Sequence, residues 1–105
     1  MIVAYVLTAA AEADLRSIIR HTHQQWGEAQ ARSYAAKLTR GTERLAAGQG
    51  RYKDLSSLYP ALRVSRCEHH YLFCLPRADA PALIVAILHE RMDLIARLTD
   101  RLDGD

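Results

Sequence analysis

Cysteine occurs twice in this 105-residue chain, proline three times, and phenylalanine and tryptophan once each. Two cysteines cannot build the disulfide framework of a small secreted domain. They stand at Cys67 and Cys74 with no Cys-x-x-Cys, and no histidine pair falls at helix spacing beside them, so no zinc site is expected. His21 and His23 are two apart and diverge on a helix. A phosphate-binding glycine loop is missing as well: Gly48-Gln49-Gly50 has nothing of such a motif around it. No serine sits in a nucleophile-elbow context. No cofactor is expected. Apolar runs are short, well under the roughly 18 residues a membrane span requires. Met1 to Leu7 is too short for a secretory leader, with Glu12 and Asp14 close behind. The reading is a cytoplasmic protein with reduced thiols and no membrane partner.

What remains is ordinary globular composition, with 50% hydrophobic and 25% charged residues. The length suits one domain over residues 1–105, burying about 65% of its unfolded surface. The net charge of +2 is too small to argue for nucleic-acid binding by itself. Residues 51–77 are more basic, with Arg51, Lys53, Arg63, Arg66 and Arg77 against Asp54 and Glu68.

The pattern along the chain reads β-α-α-β-β-β-α. IVAYVL at 2–7 is a β-branched strand. Thr8 caps a helix whose stripe is Ala11, Leu15, Ile18, Ile19, Thr22 and Trp26, ended by Gly27. A second helix, residues 28–47, buries Ala31, Tyr34, Ala35, Leu38, Thr42 and Leu45. Gly41 lies in that stripe, where a bare backbone admits the first helix. Trp26 and Tyr34 read as core aromatics between the helices. Leu55, Leu58 and Tyr59 anchor the loop at 51–61. Strands follow at 62–67, 70–75 and 82–89, with a turn at Glu68-His69 that sets Cys67 opposite His70 and far from Cys74. A last helix spans about 92–102, carrying Leu94, Ile95, Leu98 and Leu102, with a frayed end at Gly104 and Asp105. The fold class is α+β: a helical hairpin packed on one face of a small antiparallel sheet, the other face open.

The chemistry-bearing residues gather late in the chain. Arg63, Arg66, His69 and His70 form a basic cluster expected on the open face, beside His89 and Arg91 at the end of the last strand. Such a cluster holds phosphates, or with an acid and a base cleaves RNA through the 2′-OH.

Three pieces carry a family resemblance: Leu7-Thr8, Ala11 and Asp14-Leu15; then Trp26-Gly27 and Gln30; then His89, Arg91, Met92 and Asp93. Their order and spacing resemble the ParE toxins of type II toxin–antitoxin modules, the plasmid-maintenance branch in particular, over nearly the whole chain. The resemblance implies a RelE/ParE-like fold and a toxin that inhibits DNA gyrase, traps it with DNA broken and blocks replication. It implies a ParD-type antitoxin whose C-terminal segment orders on binding. The hetero-oligomeric complex would sit on operator DNA through the antitoxin. The toxin would act by binding, with no catalytic residues. His89, Arg91, Met92 and Arg97 are the expected gyrase contacts. The alternative is a RelE-like mRNA endoribonuclease using His89 with Arg63 or Arg66. Against it, no tyrosine follows Tyr71, and the terminal helix mixes Asp93, Asp100 and Asp103 with Arg97 and Arg101.

Overall fold

The computed structural model describes residues 5–103. It contains β1 (Tyr5–Leu7), α1 (Ala9–Trp26), α2 (Glu28–Ala46), β2 (Lys53–Asp54), β3 (Arg63–Cys67), β4 (His70–Leu75), β5 (Ala82–His89) and α3 (Leu94–Asp103). The α+β class and the order of the long elements are as the patterning indicates. The strand at 2–7 is described from Tyr5 on, and the expected fraying at 104–105 lies outside the described residues.

Local chemistry sets the boundaries. Thr8 Oγ1 accepts the Ala11 N–H at 3.0 Å and starts α1. Gly27, at φ 90°, ends it and turns directly into α2. The β3–β4 hairpin turns at Glu68 and His69 and pairs Cys67 with His70. Glu68 takes a φ of 56°, a conformation the turn imposes on a residue with a Cβ. Both cysteines are free, Cys74 fully buried and Cys67 half-buried.

The sheet order is β1-β5-β4-β3-β2. Two details go beyond the pattern. The loop at 51–61 contributes a two-residue edge strand, β2, paired with Arg63 and Val64. Between β2 and β5 the sheet is antiparallel, but β1 joins β5 in parallel, Tyr5 opposite Ala82. Side-chain periodicity sees neither, since it carries no strand direction and two residues make no period.

The β4–β5 ladder has a bulge: Phe73 faces Ala86 while Cys74 faces Ile84, leaving Val85 as the extra residue. It splits β5 between two cores. Ile84 and Ile87 join Leu72, Cys74, Leu38 and Leu45 beneath the helical hairpin. Val85, Ala86 and Leu88 join Phe73, Leu62 and Leu98 on the other side. This is why the apolar run at 83–88 does not alternate.

That second cluster corrects the expectation of an open sheet face. Leu98 of α3 is 1% exposed, and Leu94 and Leu102 pack beside it, so α3 closes the face over β5. At the β2–β3 end the face stays accessible, where a groove is lined by Tyr52, Val64 and Tyr71 among others. Other expectations shift too. Gly41 admits the sheet rather than α1: a Cβ there would stand 3.1 Å from Leu72 Cδ1 and 3.3 Å from Cys67 Sγ. Leu55 packs on the second cluster, but Leu58 and Tyr59 are exposed.

Across the β5 edge, α1 and α3 are bolted together. Among the described residues no strand covers β5 beyond Leu7, so the Ile87 N–H and the Val85 carbonyl on that edge take side-chain partners. Asp14 Oδ2 accepts the Ile87 N–H at 3.0 Å, and Arg101 Nη1 donates to the Val85 carbonyl at 2.8 Å. Arg101 and Asp14 also bond each other twice, at 2.9 and 3.1 Å. The side chains finish the ladder that β1 leaves incomplete.

Candidate functional site

The ends of β4 and β5 carry a polar cluster. His70 and His89 are register partners, their rings edge to face with centroids 5.1 Å apart. Tyr34, reaching down from α2, accepts the His69 N–H at 3.1 Å and hydrogen-bonds His70 Nδ1 at 2.6 Å. His70 is 8% exposed, and burial, with His89 and His69 beside it, pushes its pKa down to about 4. It is therefore neutral at physiological pH. Burial likewise raises the Tyr34 pKa, against the opposing His69 N–H. His89 Nδ1 accepts the Arg91 N–H at 3.1 Å, so its ring acts as an acceptor toward its own chain.

On the rim, Glu90 gathers the remaining charge. Its carboxylate takes His69 Nδ1 at 2.9 Å and pairs with Arg66. The bond from His69, then Arg66, holds its pKa below the usual carboxylate value.

The four residues expected to form one basic cluster therefore separate. Arg66 and His69 share Glu90. His70 is buried and uncharged beneath the helical hairpin. Arg63 lies at the far end of β3, where Nη1 donates to the Leu45 carbonyl at 3.2 Å and the guanidinium lies 4.9 Å over the Tyr52 ring. Alternation explains the split: Cys67 pairs with His70, so both side chains leave the face on which Arg66 meets Tyr71. Of the two pairings named for an RNA-cleaving site, the one between Arg63 and His89 is not formed, while Arg66 stays near His89 through its bond to Glu90. Arg63 sits opposite Cys74 and His89 opposite His70, four residues apart along β4, or about 13 Å at strand rise.

Beside His70 and His89 a groove of about 490 Å³ opens between the strand ends and the helix pair, its other wall including Ile18, His21, Trp26 and Tyr34. Trp26 is 73% exposed, which corrects its expected place in the core. As the last residue of α1, it lines this groove and is otherwise open to solvent.

From His89 the chain makes a turn, the Met92 N–H bonding the His89 carbonyl at 3.0 Å. Asp93 caps α3 by accepting the Ala96 N–H at 3.3 Å. The helix thus starts two residues later than expected. Arg91, Met92 and Arg97 all lie on the surface. With them is Ile95, 60% exposed, although it reads as part of the buried stripe. The stripe is Leu94, Leu98 and Leu102 at strict four-residue spacing, and that spacing is the signal that excludes Ile95. Among the described residues no group of histidines, cysteines and carboxylates could hold a metal ion, and no helix is long and apolar enough to cross a membrane.

The sequence matches the family model for the ParE toxin of the type II toxin–antitoxin system, parDE, over residues 5–94. The chain belongs to the ParE toxin family. It is 69% identical to Toxin ParE of Escherichia coli over 101 residues, covering 96% of this chain and 98% of that one. It is 31% identical to Toxin ParE1 of Mycobacterium tuberculosis strain H37Rv over 90 residues, covering 86% and 92% of the two chains. Among solved structures, the chromosomal ParDE TA system from P. aeruginosa has a chain of the same fold, with a TM-score of 0.65, 21% identity, and 84% and 96% coverage. The bolt between α1 and α3 gives a physical role to the aspartate of the motif that carried the ParE resemblance: Asp14 completes the β5 edge.

Proposed function

We propose that this ParE-family toxin poisons DNA gyrase by binding, in the cytoplasm, and that a ParD-type antitoxin neutralises it. The supporting observation is the make-up of α3. One face is locked into the core through Leu98 and Arg101, while Arg91, Met92, Ile95 and Arg97 project from the turn and the outer face. A rigid helix that presents two apolar side chains between two cations suits a macromolecular contact. His89 holds the start of this segment through its bond to the Arg91 backbone and stands beside it as a further contact.

The antitoxin segment takes the groove beside Trp26. An amphipathic helix that orders on binding needs apolar anchors to offset its lost conformational freedom, and Ile18, Trp26 and Tyr34 offer them. The complex then sits on operator DNA through the antitoxin. A supercoiling assay with purified gyrase tests the reading. The expected result is loss of supercoiling with accumulation of cleaved DNA, while mRNA stays intact in cell-free translation. Unimpaired gyrase together with cleaved mRNA would instead favour the RelE-like ribonuclease reading.

A further inference from the structure

A second groove, of about 470 Å³, lies between α2 and β3. Its lining includes five cations, Lys37, Arg40, Arg44, Arg51 and Arg66, against the single carboxylate of Glu68. The whole chain carries only +2, so this groove concentrates the positive field of the molecule. Glu68 is already spent on Lys37 at 2.8 Å, and Arg66 on Glu90. Arg40, Arg44 and Arg51 have no carboxylate partner among the described residues. Local structure builds the convergence. Gly50, at φ 73°, brings Arg51 round to the end of α2, and a Cβ there would stand 3.0 Å from Arg44 Nη2.

We infer that this groove is a binding site for the phosphodiester backbone of a nucleic acid, carried by the toxin itself. The row Lys37, Arg40, Arg44 falls on one side of α2 and spans about 10 Å at helical rise. That length matches about three phosphates of one strand at roughly 3.4 Å of axial rise each. Guanidinium forks bond phosphate oxygens in pairs. An acidic protein segment is the other polyanion to consider, and the groove's composition argues against it. A segment that orders on binding needs apolar anchors. This groove offers little beyond Gly41, the buried Leu45 and Cys67. A nucleic-acid strand needs no such anchors, because counterion release drives its binding. The site is independent of the proposed gyrase contact on α3.

The test is fluorescence anisotropy with the full-length free toxin and labelled 20-mers of arbitrary sequence, as duplex DNA and as single-stranded RNA. With three or four phosphates neutralised, affinity for duplex DNA should fall about 40- to 150-fold between 50 and 200 mM salt. Arg40→Gln/Arg44→Gln should flatten the logarithmic salt slope by about 2 units, while Arg16→Gln/Arg20→Gln on α1 leaves it unchanged. All four arginines are exposed, so circular dichroism and melting should match the parent. Tighter binding of the DNA or of the RNA arm identifies which backbone is held, and either supports the site. No binding of either 20-mer at 50 mM salt, a slope indifferent to the α2 pair, or equal binding of charge-matched polyglutamate would overturn it.

Discussion

Acidification from pH 7.5 to 5.0 should destabilise this protein through one side chain, His70. In the unfolded chain it titrates at the ordinary 6.5, whereas in the fold burial pushes it down to about 4. Between those values the unfolded state holds more protons, so stability is fully present above pH 6.5 and drains away as pH falls toward 4. The full shift corresponds to about 3 kcal/mol, of which about 2 kcal/mol is lost by pH 5. Tyr34 from α2 and His89 from β5 pack on the ring, and His69 from the turn, Asp14 from α1 and Glu90 after β5 act on it through their charge. The assay is urea denaturation of the wild type and of His70→Gln at both pH values. Gln can still hydrogen-bond Tyr34 but does not titrate. The variant should be less stable at pH 7.5, yet lose about 2 kcal/mol less than the wild type on going to pH 5.0. Equal pH losses in the two proteins, or a larger loss in the variant, would refute the claim that His70 is held neutral by the fold.

Arg101→Met should cost about 2–3 kcal/mol in urea denaturation, because it leaves the half-buried Asp14 carboxylate and the Val85 carbonyl without their shared donor. Gly41→Val should cost about 2 kcal/mol, since its methyls drive into Leu72 and Cys67, whereas Gly41→Ala should stay near neutral as helix propensity offsets the squeeze. Trp26→Ala should change stability by no more than about 0.5 kcal/mol, as expected for an exposed side chain, yet weaken antitoxin binding by about 2 kcal/mol in calorimetry.

Much of this architecture is legible in the chain because each signal is local. Thr8 and Gly27 bracket α1 through their own backbone chemistry. The Glu68-His69 turn sets the β3–β4 register, and that register carries the separation of Arg66 from His70. What is not legible depends on neighbours far along the chain. Periodicity says that Trp26 and Ile95 lie near apolar stripes, but not that Trp26 is left 73% exposed on a groove wall or that α3 rests on three leucines. It says that Gly41 faces something, but not whether that is a helix or the sheet. The closing of the second sheet face depends on α3 folding back across β5, which joins its three leucines to the cluster and its Arg101 to Asp14, 87 positions away. Composition hides the cationic groove too, since the link from α2 to β3 brings Arg51 and Arg66 beside Lys37, Arg40 and Arg44.

The central claim is that the outer face of α3 grips gyrase while its inner face only holds the fold. Truncating the tail cannot test it, because Leu98 and Arg101 would go as well. The direct measurement is gyrase supercoiling and DNA cleavage with Met92→Ala/Ile95→Ala/Arg97→Ala, compared with the wild type at matched folded concentration. The account predicts an unchanged melting temperature, retained antitoxin binding and at least about a tenfold loss of gyrase inhibition. Full inhibition by the well-folded triple variant would contradict it.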